Sequence, residues 1–409
     1  MNNRPTSSRS ALIAIFLIVV VDILGLAIVL PLLPFYAERY GATPQVVGGL
    51  VTTYALCQLL AGPLLGRLSD STGRRPMLIL SQIGTCVGFV ILARAQALWM
   101  IFLSRFIDGI TAGNLPIAQA FISDVTEAKD RAKAFGLIGI AFGIGLFIGP
   151  GISGYLSQFG YSYPAWAAAG LSFTSILCSY FLLPDTRHIH QKTEGPVSTE
   201  ATASDPFHFK EFGTYLRRPI LGERLLQFFC FGMAFSGFIS GLALFADRRF
   251  TWRGAPFGAR EVGYFYMYIG LLGIFYQGYL LGKLVKRFGE SRLVVVGFLT
   301  QGLGYGVLAF VYRIPVLFIT GAVSSFGSGI VRPVLTSLVS QQAPRTEQGA
   351  VLGVNQSLVS IAQVIAPLLS GYLIGHLWLK GWALSVGGFA LCGLLLSGFI
   401  PSPSREIPL

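Results

Sequence analysis

Four charged residues lie inside long apolar stretches of the chain, where a charged side chain is energetically unfavourable. They are Asp22, Arg105, Asp108 and Arg332. A charged side chain in a membrane-spanning segment costs roughly 2.5–3.5 kcal/mol on insertion scales, so it normally faces a cavity or a partner. Burial disfavours the charged form of a carboxyl, whereas a neighbouring arginine favours it. We therefore expect proton binding and ion pairing from these residues.

The two aspartates are the expected proton-binding groups. Arg105 and Asp108 are three residues apart on one helix and can pair directly. Asp22 is the stronger candidate, because Asp108 is expected to keep Arg105 as a permanent partner. The alternative is a static network of salt bridges that holds the helices together. Arg332 is expected to meet Asp22 or to hold a substrate carboxylate, a group that a guanidinium binds well.

Uncharged polar and aromatic residues in other apolar stretches are candidates for contacts with a small molecule. Amides supply hydrogen bonds, and aromatic rings supply an apolar wall. Each of these aromatic residues can equally pack against helices or face lipid. The candidates are Asn114, Gln227, Gln277, Asn355, Gln356, Phe231, Phe235, Tyr268 and Tyr276.

Membrane-spanning helices must position these residues. Hydrophobic residues make up 53% of the 409 residues and charged residues 12%, whereas soluble domains contain about 25% charged residues. Several apolar runs reach the ~20 residues that cross a bilayer as a helix. The sequence predicts an all-α integral membrane protein with twelve spans. They are 11–36, 45–67, 76–94, 97–124, 134–157, 161–183, 221–248, 260–284, 291–311, 314–340, 348–376 and 379–400.

The distribution of basic residues sets the expected orientation. Most of the 30 lysines and arginines fall on one side if both termini are cytoplasmic, as the positive-inside rule requires. The net charge of +12 is spread over short loops, so we expect no nucleic-acid partner. The chain shows no metal-type cysteine spacing and no P-loop. We expect no metal, no cofactor and no enzymatic activity.

An internal repeat divides the chain. Residues 116–184 match residues 333–401 without a gap, at an offset of 217. The predicted domains are a six-helix bundle over 1–184, a polar cytoplasmic linker over 185–220 and a second bundle over 221–409. Two parallel halves of this kind are a transporter architecture, with the substrate site between halves that rock about it. Duplication without transport is the alternative.

The loop after the second predicted span reads "GRLSDSTGRRPML". Gly66 permits close approach of backbones, Gly73 can take a positive φ, and Pro76 suits the first turn of a helix. Asp70, Arg74 and Arg75 form a cluster of charges. The second half keeps the glycines in "GKLVKRFGESR" but has Lys286 where the acid would fall.

This loop resembles the one between the second and third helices of the major facilitator superfamily, and within it of the twelve-helix drug:proton antiporters that include tetracycline-efflux proteins. The resemblance covers essentially the whole chain. It implies that Gly66, Asp70, Gly73, Arg74 and Arg75 form a conformational latch between the two halves. It also implies that Arg105 is the fourth-helix arginine linked to proton coupling.

The fifth predicted span reads "GIAFGIGLFIGPGISG" and resembles the antiporter signature of the same group. Glycines four apart give small surfaces for close helix contact, and a proline can bend the helix. Pure packing is the alternative. The residues are Gly139, Gly143, Gly145, Gly149, Pro150 and Gly154.

The expected function is secondary active transport. We expect a proton-coupled antiporter that exports small amphipathic or anionic organic compounds, working as a monomer in the lipid bilayer of the cell inner membrane. Its partners would be a small-molecule substrate and protons. Tetracycline is doubtful as a substrate, because the third and ninth spans lack the acids of tetracycline pumps. The alternatives are proton-coupled uptake of a small organic anion and a non-transporting membrane receptor.

Overall fold

The structure, a computed structural model, describes residues 8–126, 131–183, 209–342 and 347–397. It is helical apart from one short hairpin. A π-helical turn, Tyr276–Leu280, lies between the helices Ala259–Phe275 and Leu281–Phe288, and a 3-10 turn, Leu308–Phe310, follows the helix Glu290–Val307. The helices are α1 Ser8–Glu38, α2 Pro44–Thr72, α3 Arg74–Ala93, α4 Leu98–Ile110, α5 Asn114–Val125, α6 Arg131–Ser157, α7 Ser162–Leu182, α8 Phe209–Leu216, α9 Leu221–Arg249, α10 Ala259–Phe275, α11 Leu281–Phe288, α12 Glu290–Val307, α13 Ile314–Gln341, α14 Gln348–Gly375 and α15 Leu379–Ser397.

Eleven helical segments in the described residues are long and apolar enough to cross a membrane. They match eleven of the predicted spans to within a few residues. The fourth predicted span, 97–124, was wrong as a continuous helix, because it divides into α4 and α5 at residues 111–113. Each piece alone is too short to cross a bilayer.

Groups on neighbouring helices stabilise the break in the fourth span. The Ser81 hydroxyl of α3 donates to the Thr111 carbonyl, and the Gly113 N–H donates to Ser81 Oγ at 2.9 Å. Pro116, in the first turn of α5, has no N–H to continue the helix backwards. Irregular backbone at membrane depth requires such partners inside the protein. The corresponding Pro333 instead lies within the continuous helix α13.

The chain divides into two compact units. Unit 1 is Met1–Phe207 together with Phe257–Tyr268, and unit 2 is His208–Pro256 together with Ile269–Leu409. The predicted linker, 185–220, lies mostly outside the described residues. Its described end contains α8, whose Tyr215 packs against Leu225 and Val351 of unit 2.

The two units share one packing pattern. In unit 1, α1 packs against α6 and α7, and α3 packs against α4 and α7. In unit 2, α9 packs against α14 and α15, and α12 packs against α13 and α15. A buried apolar cluster in unit 1 joins α1 to α5 through residues such as Ile15, Ile18, Phe121 and Ile122.

The short hairpin follows α9. Strands β1 (Thr251–Trp252) and β2 (Ala255–Pro256) pair antiparallel. The two turn residues, Arg253 and Gly254, have φ of 53° and 84°, as a two-residue turn with positive φ at both positions requires. The sequence analysis did not predict this hairpin.

Candidate functional site

Arg74 is the centre of the loop that the sequence analysis interpreted as a latch. Its side chain is 9% exposed and forms ion pairs with Asp70 and with Asp124, the latter at 2.9 Å. It also donates to Ser69 Oγ at 2.8 Å. The sequence analysis missed Asp124, which lies at the end of α5 and ties the loop to that helix.

The loop glycines behave differently from one another. Gly73, between α2 and α3, has φ of 100°, so the predicted positive φ is confirmed. A Cβ added at Gly66 would meet nothing within 4 Å, so the predicted close approach at this residue was wrong for the described part of the chain. Arg75 donates to the Tyr180 carbonyl of α7 and lies over the Tyr180 ring.

The corresponding turn of unit 2 has an acidic residue, Glu290, in the place of the basic Arg74. Gly289 has φ of 77°, and Glu290 follows it in the place that Arg74 occupies in unit 1. Glu290 accepts hydrogen bonds from Ser337 at 2.8 Å and Gln341 at 2.9 Å, both on α13. An ion pair therefore joins this turn to α5 in unit 1, and hydrogen bonds from neutral side chains join the corresponding turn to α13 in unit 2.

Arg105 and Asp108 form a buried ion pair on α4. Their side chains are 3% and 4% exposed, and Nη1 lies 3.2 Å from Oδ2. Arg105 also donates to Ser104 Oγ at 3.1 Å, and its guanidinium lies 5.8 Å from the centre of the Phe89 ring. Gly88 of α3 permits this approach, because an added Cβ would lie 3.2 Å from Asp108 Cβ.

Asp22 of α1 is half-buried and lies in the same polar region of unit 1. Gln82 and Ser175 lie within hydrogen-bonding reach of its carboxyl group, and Asp108 is near enough to act on it electrostatically. Gln82 in turn donates to Ser175 Oγ at 2.8 Å, which links α3 to α7. Among the described residues, Asp22 Oδ1 is buried without a hydrogen-bond donor.

The structure thus brings together Asp22, Arg105 and Asp108, the three residues predicted for proton coupling. We call these residues, with Gln82 and Ser175, the polar cluster of unit 1. Sequence reasoning missed Gln82 and Ser175. Their signal was a polar residue within an apolar span, which is too common to single out.

Glycines of α6 lie against two other helices. A Cβ at Gly145 would lie 2.4 Å from the Ile23 side chain, and one at Gly149 would lie 2.6 Å from Ala27 Cβ. One at Gly154 would lie 2.8 Å from the Arg260 carbonyl of α10. Pro150 lies inside the helix. Gly139 has nothing within 4 Å, so the predicted close contact there was wrong for the described residues. Gly143, half-buried, lies between these two regions.

The residues predicted to bind substrate lie on several helices. Tyr268 of α10 belongs to unit 1, and Asn114, whose Oδ1 is buried without a donor among the described residues, begins α5 in the same unit. The other predicted residues belong to unit 2. They are Gln227, Phe231 and Phe235 of α9, Tyr276 and Gln277 of the π-helical turn, Arg332 of α13, and Asn355 and Gln356 of α14.

These unit 2 residues differ in how far their polar groups are already engaged. Gln227 is fully buried, accepts from Arg224 at 3.1 Å, and donates to the Gly393 carbonyl and to Ser397 on α15. That network gives Gln227 a packing role. Asn355 is 7% exposed, and its Oδ1 has no donor among the described residues. The side chains of Gln277 and Gln356 are exposed, and so is that of Arg332, which also interacts with another group of the protein. Arg332 and Asp22 belong to different units, so their pairing stays a prediction.

Unit 2 contains a neutral polar group between α12 and α13. Gln301 donates to Ser328 Oγ at 3.3 Å, and the Tyr305 hydroxyl lies 3.2 Å from the same atom. The Tyr305 ring stacks on Phe238 of α9 at 4.5 Å. This group has no charge, so the buried ion pair of unit 1 has no equivalent at these residues.

Comparison with known proteins identifies the family. The model of the Major Facilitator Superfamily matches residues 15–310 and 278–408. Tetracycline resistance protein, class B, from Escherichia coli is 31% identical over 401 residues, which covers 96% of this chain and 94% of the relative. Multidrug resistance protein 2 of Bacillus subtilis (strain 168) is 27% identical and covers 86% of each chain.

A solved structure supports the same fold. The crystal structure of the human organic anion transporter MFSD10 (TETRAN) matches with a TM-score of 0.72 and 23% identity, over 96% of this chain and all of the other. The helices described above are also of the length and composition that cross a membrane. The chain is therefore a membrane transporter that belongs to the Major Facilitator Superfamily.

Proposed function

We propose that the chain is a proton-coupled antiporter that exports small amphipathic or anionic organic compounds by alternating access. The observation that carries this proposal is the polar cluster of unit 1, in which Asp22 lies near the buried pair of Arg105 and Asp108. A carboxyl group near a buried ion pair can exchange a proton when its surroundings change. The names of the tetracycline and multidrug resistance relatives support export.

Asp22 is the proposed proton carrier and Arg105 its electrostatic regulator. Asp108 is already paired with Arg105, whereas the Oδ1 atom of Asp22 has no donor among the described residues. A proton on Asp22 would remove a poorly compensated charge. Movement of one charge through 100 mV releases about 2.3 kcal/mol, which supports a solute ratio of roughly fifty to one. The static ion-pair network remains the alternative that the experiment below tests.

The proposed substrates are organic anions and amphipathic compounds. Arg332 of α13 is exposed in unit 2, and a guanidinium group can bind a carboxylate through two parallel hydrogen bonds. A neighbour in fold is named an organic anion transporter, which supports this substrate class. Tetracycline itself is not proposed, because residues 76–94 and 293–311 contain no acid.

Uptake of a small organic anion together with a proton is the second candidate. The exposed Arg332 supports uptake as much as export, because its guanidinium group could bind the anion during transport in either direction. We propose the cell inner membrane as the location, with both termini cytoplasmic, from the distribution of Lys and Arg. The proposed working unit is a monomer.

Transport in proteoliposomes tests the function. The purified protein is reconstituted, a pH gradient of either sign is imposed, and movement of the organic anion fluorescein is recorded together with internal pH. We expect proton movement opposite in direction to the anion, and loss of both in Asp22→Asn. The control is Asp247→Asn, which alters a carboxyl at the far end of α9 in unit 2.

Three results would contradict parts of the proposal. Proton-driven exchange that is unchanged in Asp22→Asn would remove Asp22 from the mechanism. Proton and anion moving in the same direction would favour uptake. Equal loss in Asp247→Asn would mean that the effect of Asp22→Asn is not specific to the polar cluster.

A further inference from the structure

A surface cavity of about 630 Å³ lies at the end of unit 1 remote from the Arg74 loop. The end of α1, the end of α3, and the starts of α4 and α7 surround it. The polar residues of its lining are Tyr36, Arg39, Tyr40, Arg94, Gln96 and Ser162, and the lining contains no carboxylate. None of these residues belongs to the polar cluster of unit 1.

The wall of this cavity is preformed. The hydroxyl groups of Tyr36 and Tyr40 both donate to the Ala95 carbonyl, at 3.2 and 2.6 Å. The Tyr36 ring lies 5.7 Å from the Tyr40 ring and 5.9 Å from that of Tyr161. These contacts hold the end of α1 against the α3–α4 loop and the start of α7. A ligand would therefore bind without first ordering the wall, which lowers the cost of binding.

The charge at the cavity is positive. Arg39 and Arg94 are exposed, and both line the cavity. Helix α7 begins at Ser162, which lies at the same wall, and a helix N-terminus carries a partial positive charge. Two guanidinium groups with a helix N-terminus are suited to an oxyanion of several oxygens, and guanidinium binds phosphate bidentately.

Exposed tryptophans indicate the depth of the cavity in the membrane. Trp99 of α4 is 64% exposed and Trp166 of α7 is 44% exposed, and the Arg94 guanidinium lies 5.9 Å from the Trp166 ring. Tryptophan and tyrosine concentrate at the level of lipid headgroups. The cavity therefore lies at the level where phosphate groups of lipids are found.

We propose that this cavity is a binding site for a phosphate group, held by Arg39 and Arg94. The phosphate belongs to a lipid headgroup or to a free phosphate, and both present the same oxygens to the two guanidinium groups. The site is separate from the proton-coupling residues, so it does not depend on the proposed antiport.

Binding to purified protein tests the site. Inorganic phosphate is titrated into the detergent-solubilised protein by calorimetry, and retention of phosphatidylglycerol is measured by native mass spectrometry. In the double variant Arg39→Gln/Arg94→Gln we expect phosphate affinity to fall at least about tenfold, since each substitution removes hydrogen bonds between a charged donor and the phosphate. The control Arg313→Gln removes an exposed arginine before α13, in unit 2.

Each outcome decides the proposal. Loss of both phosphate and phosphatidylglycerol binding supports the site with a lipid headgroup as occupant. Loss of phosphate binding alone supports it with a free phosphate. The proposal is overturned if Arg39→Gln/Arg94→Gln binds phosphate as strongly as the control Arg313→Gln does. It is also overturned if the wild-type protein binds neither phosphate nor phosphatidylglycerol. The single variants Arg39→Gln and Arg94→Gln, each expected to weaken phosphate binding, supply the test if the double variant does not fold.

Discussion

Asp22 and Asp108 carry the same functional group in different surroundings. Asp108 is 4% exposed and paired with Arg105 at 3.2 Å. Asp22 is half-buried, with the neutral side chains of Gln82 and Ser175 within hydrogen-bonding reach and Asp108 near enough to act on it electrostatically. Removing one partner of a buried ion pair leaves the other partner as an uncompensated charge. Removing a poorly compensated carboxylate takes such a charge out of the protein. The two aspartates should therefore respond in opposite ways to the same substitution.

We expect Asp108→Asn to destabilise the protein by about 3–5 kcal/mol, because Arg105 then stays buried without a carboxylate. Asp22→Asn should leave the thermal unfolding temperature unchanged or raise it. Thermal unfolding of both variants in the same detergent measures the difference. A large loss of stability in Asp22→Asn would instead indicate that Asp22 belongs to a static network that holds the helices together.

At the residue scale, the sequence predicted the charged residues better than their neutral partners. A charge inside an apolar span is rare and visible, so Asp22, Arg105 and Asp108 could be singled out and are found together in unit 1. Asp124 could not be singled out, because an acid at the end of a span resembles an ordinary loop charge. Its ion pair with Arg74 forms because the end of α5 lies beside the start of α3. The spacing of residues along the chain does not reveal this proximity.

The glycines of α6 show what a small-residue pattern can and cannot predict at the element scale. Both predicted pairs have the same spacing of four residues. Gly145 and Gly149 lie against α1, whereas Gly139 meets nothing within 4 Å. Spacing identifies a face of a helix, and only the neighbouring helix decides which part of that face is in contact.

Gly149→Ala should therefore destabilise the protein. The added Cβ would lie 2.6 Å from Ala27 Cβ, and overpacking of this kind costs typically about 1–3 kcal/mol. Gly139→Ala in the same helix is the matched control and should be neutral or stabilising by up to about 1 kcal/mol, as alanine is the better helix former. Thermal unfolding compares the two. Equal effects would mean that α1 and α6 do not pack closely at Gly149.

The fourth span shows the limit of hydropathy. An apolar run predicts that a segment crosses the membrane, and residues 97–124 are such a run. Hydropathy does not predict that the helix breaks at residues 111–113, because the break depends on Ser81 from another helix. Proline alone was not a sufficient signal, since Pro333 lies within an unbroken helix.

One ion pair between elements gives a pH-dependent contribution to stability. Arg218, after α8, forms an ion pair with Glu347, which precedes α14, and this partner lowers the pKa of the Glu347 carboxyl. A carboxyl with a lowered pKa stabilises the folded state above its ordinary pKa, and this stabilisation is lost as the pH falls through the lowered value. We expect Glu347→Gln to lower the unfolding temperature slightly at pH 7, with the difference from wild type closing as the pH falls through the lowered pKa of Glu347. A difference that persisted at low pH would have another cause.

At the scale of the whole molecule, the two units share a packing pattern and differ in charge. Unit 1 contains the buried pair Arg105–Asp108, whereas the polar group at Gln301 and Ser328 in unit 2 is neutral. The turn at Arg74 uses an ion pair, and the matching turn at Glu290 uses neutral donors. The helix contacts are thus repeated while the charges differ, which agrees with the proposed proton carrier Asp22 lying in unit 1 and the proposed substrate-binding Arg332 lying in unit 2.

This division of labour predicts separable kinetic defects. Arg332→Ala in unit 2 should raise the KM for an organic anion by about tenfold or more, because a hydrogen bond to a charged group contributes about 1.5–3 kcal/mol. Its pH dependence of transport should stay that of the wild type. Asp22→Asn should lose proton-driven transport at every pH while fluorescein binding persists, and Arg332→Lys, which keeps the charge but not the planar fork, should have an intermediate KM. Initial rates of fluorescein transport across a range of pH measure the two Arg332 variants, and a fluorescence titration of the purified protein measures fluorescein binding to Asp22→Asn. A shifted pH dependence in Arg332→Ala would mean that substrate and proton share one site, and the proposed division between the units would then be wrong.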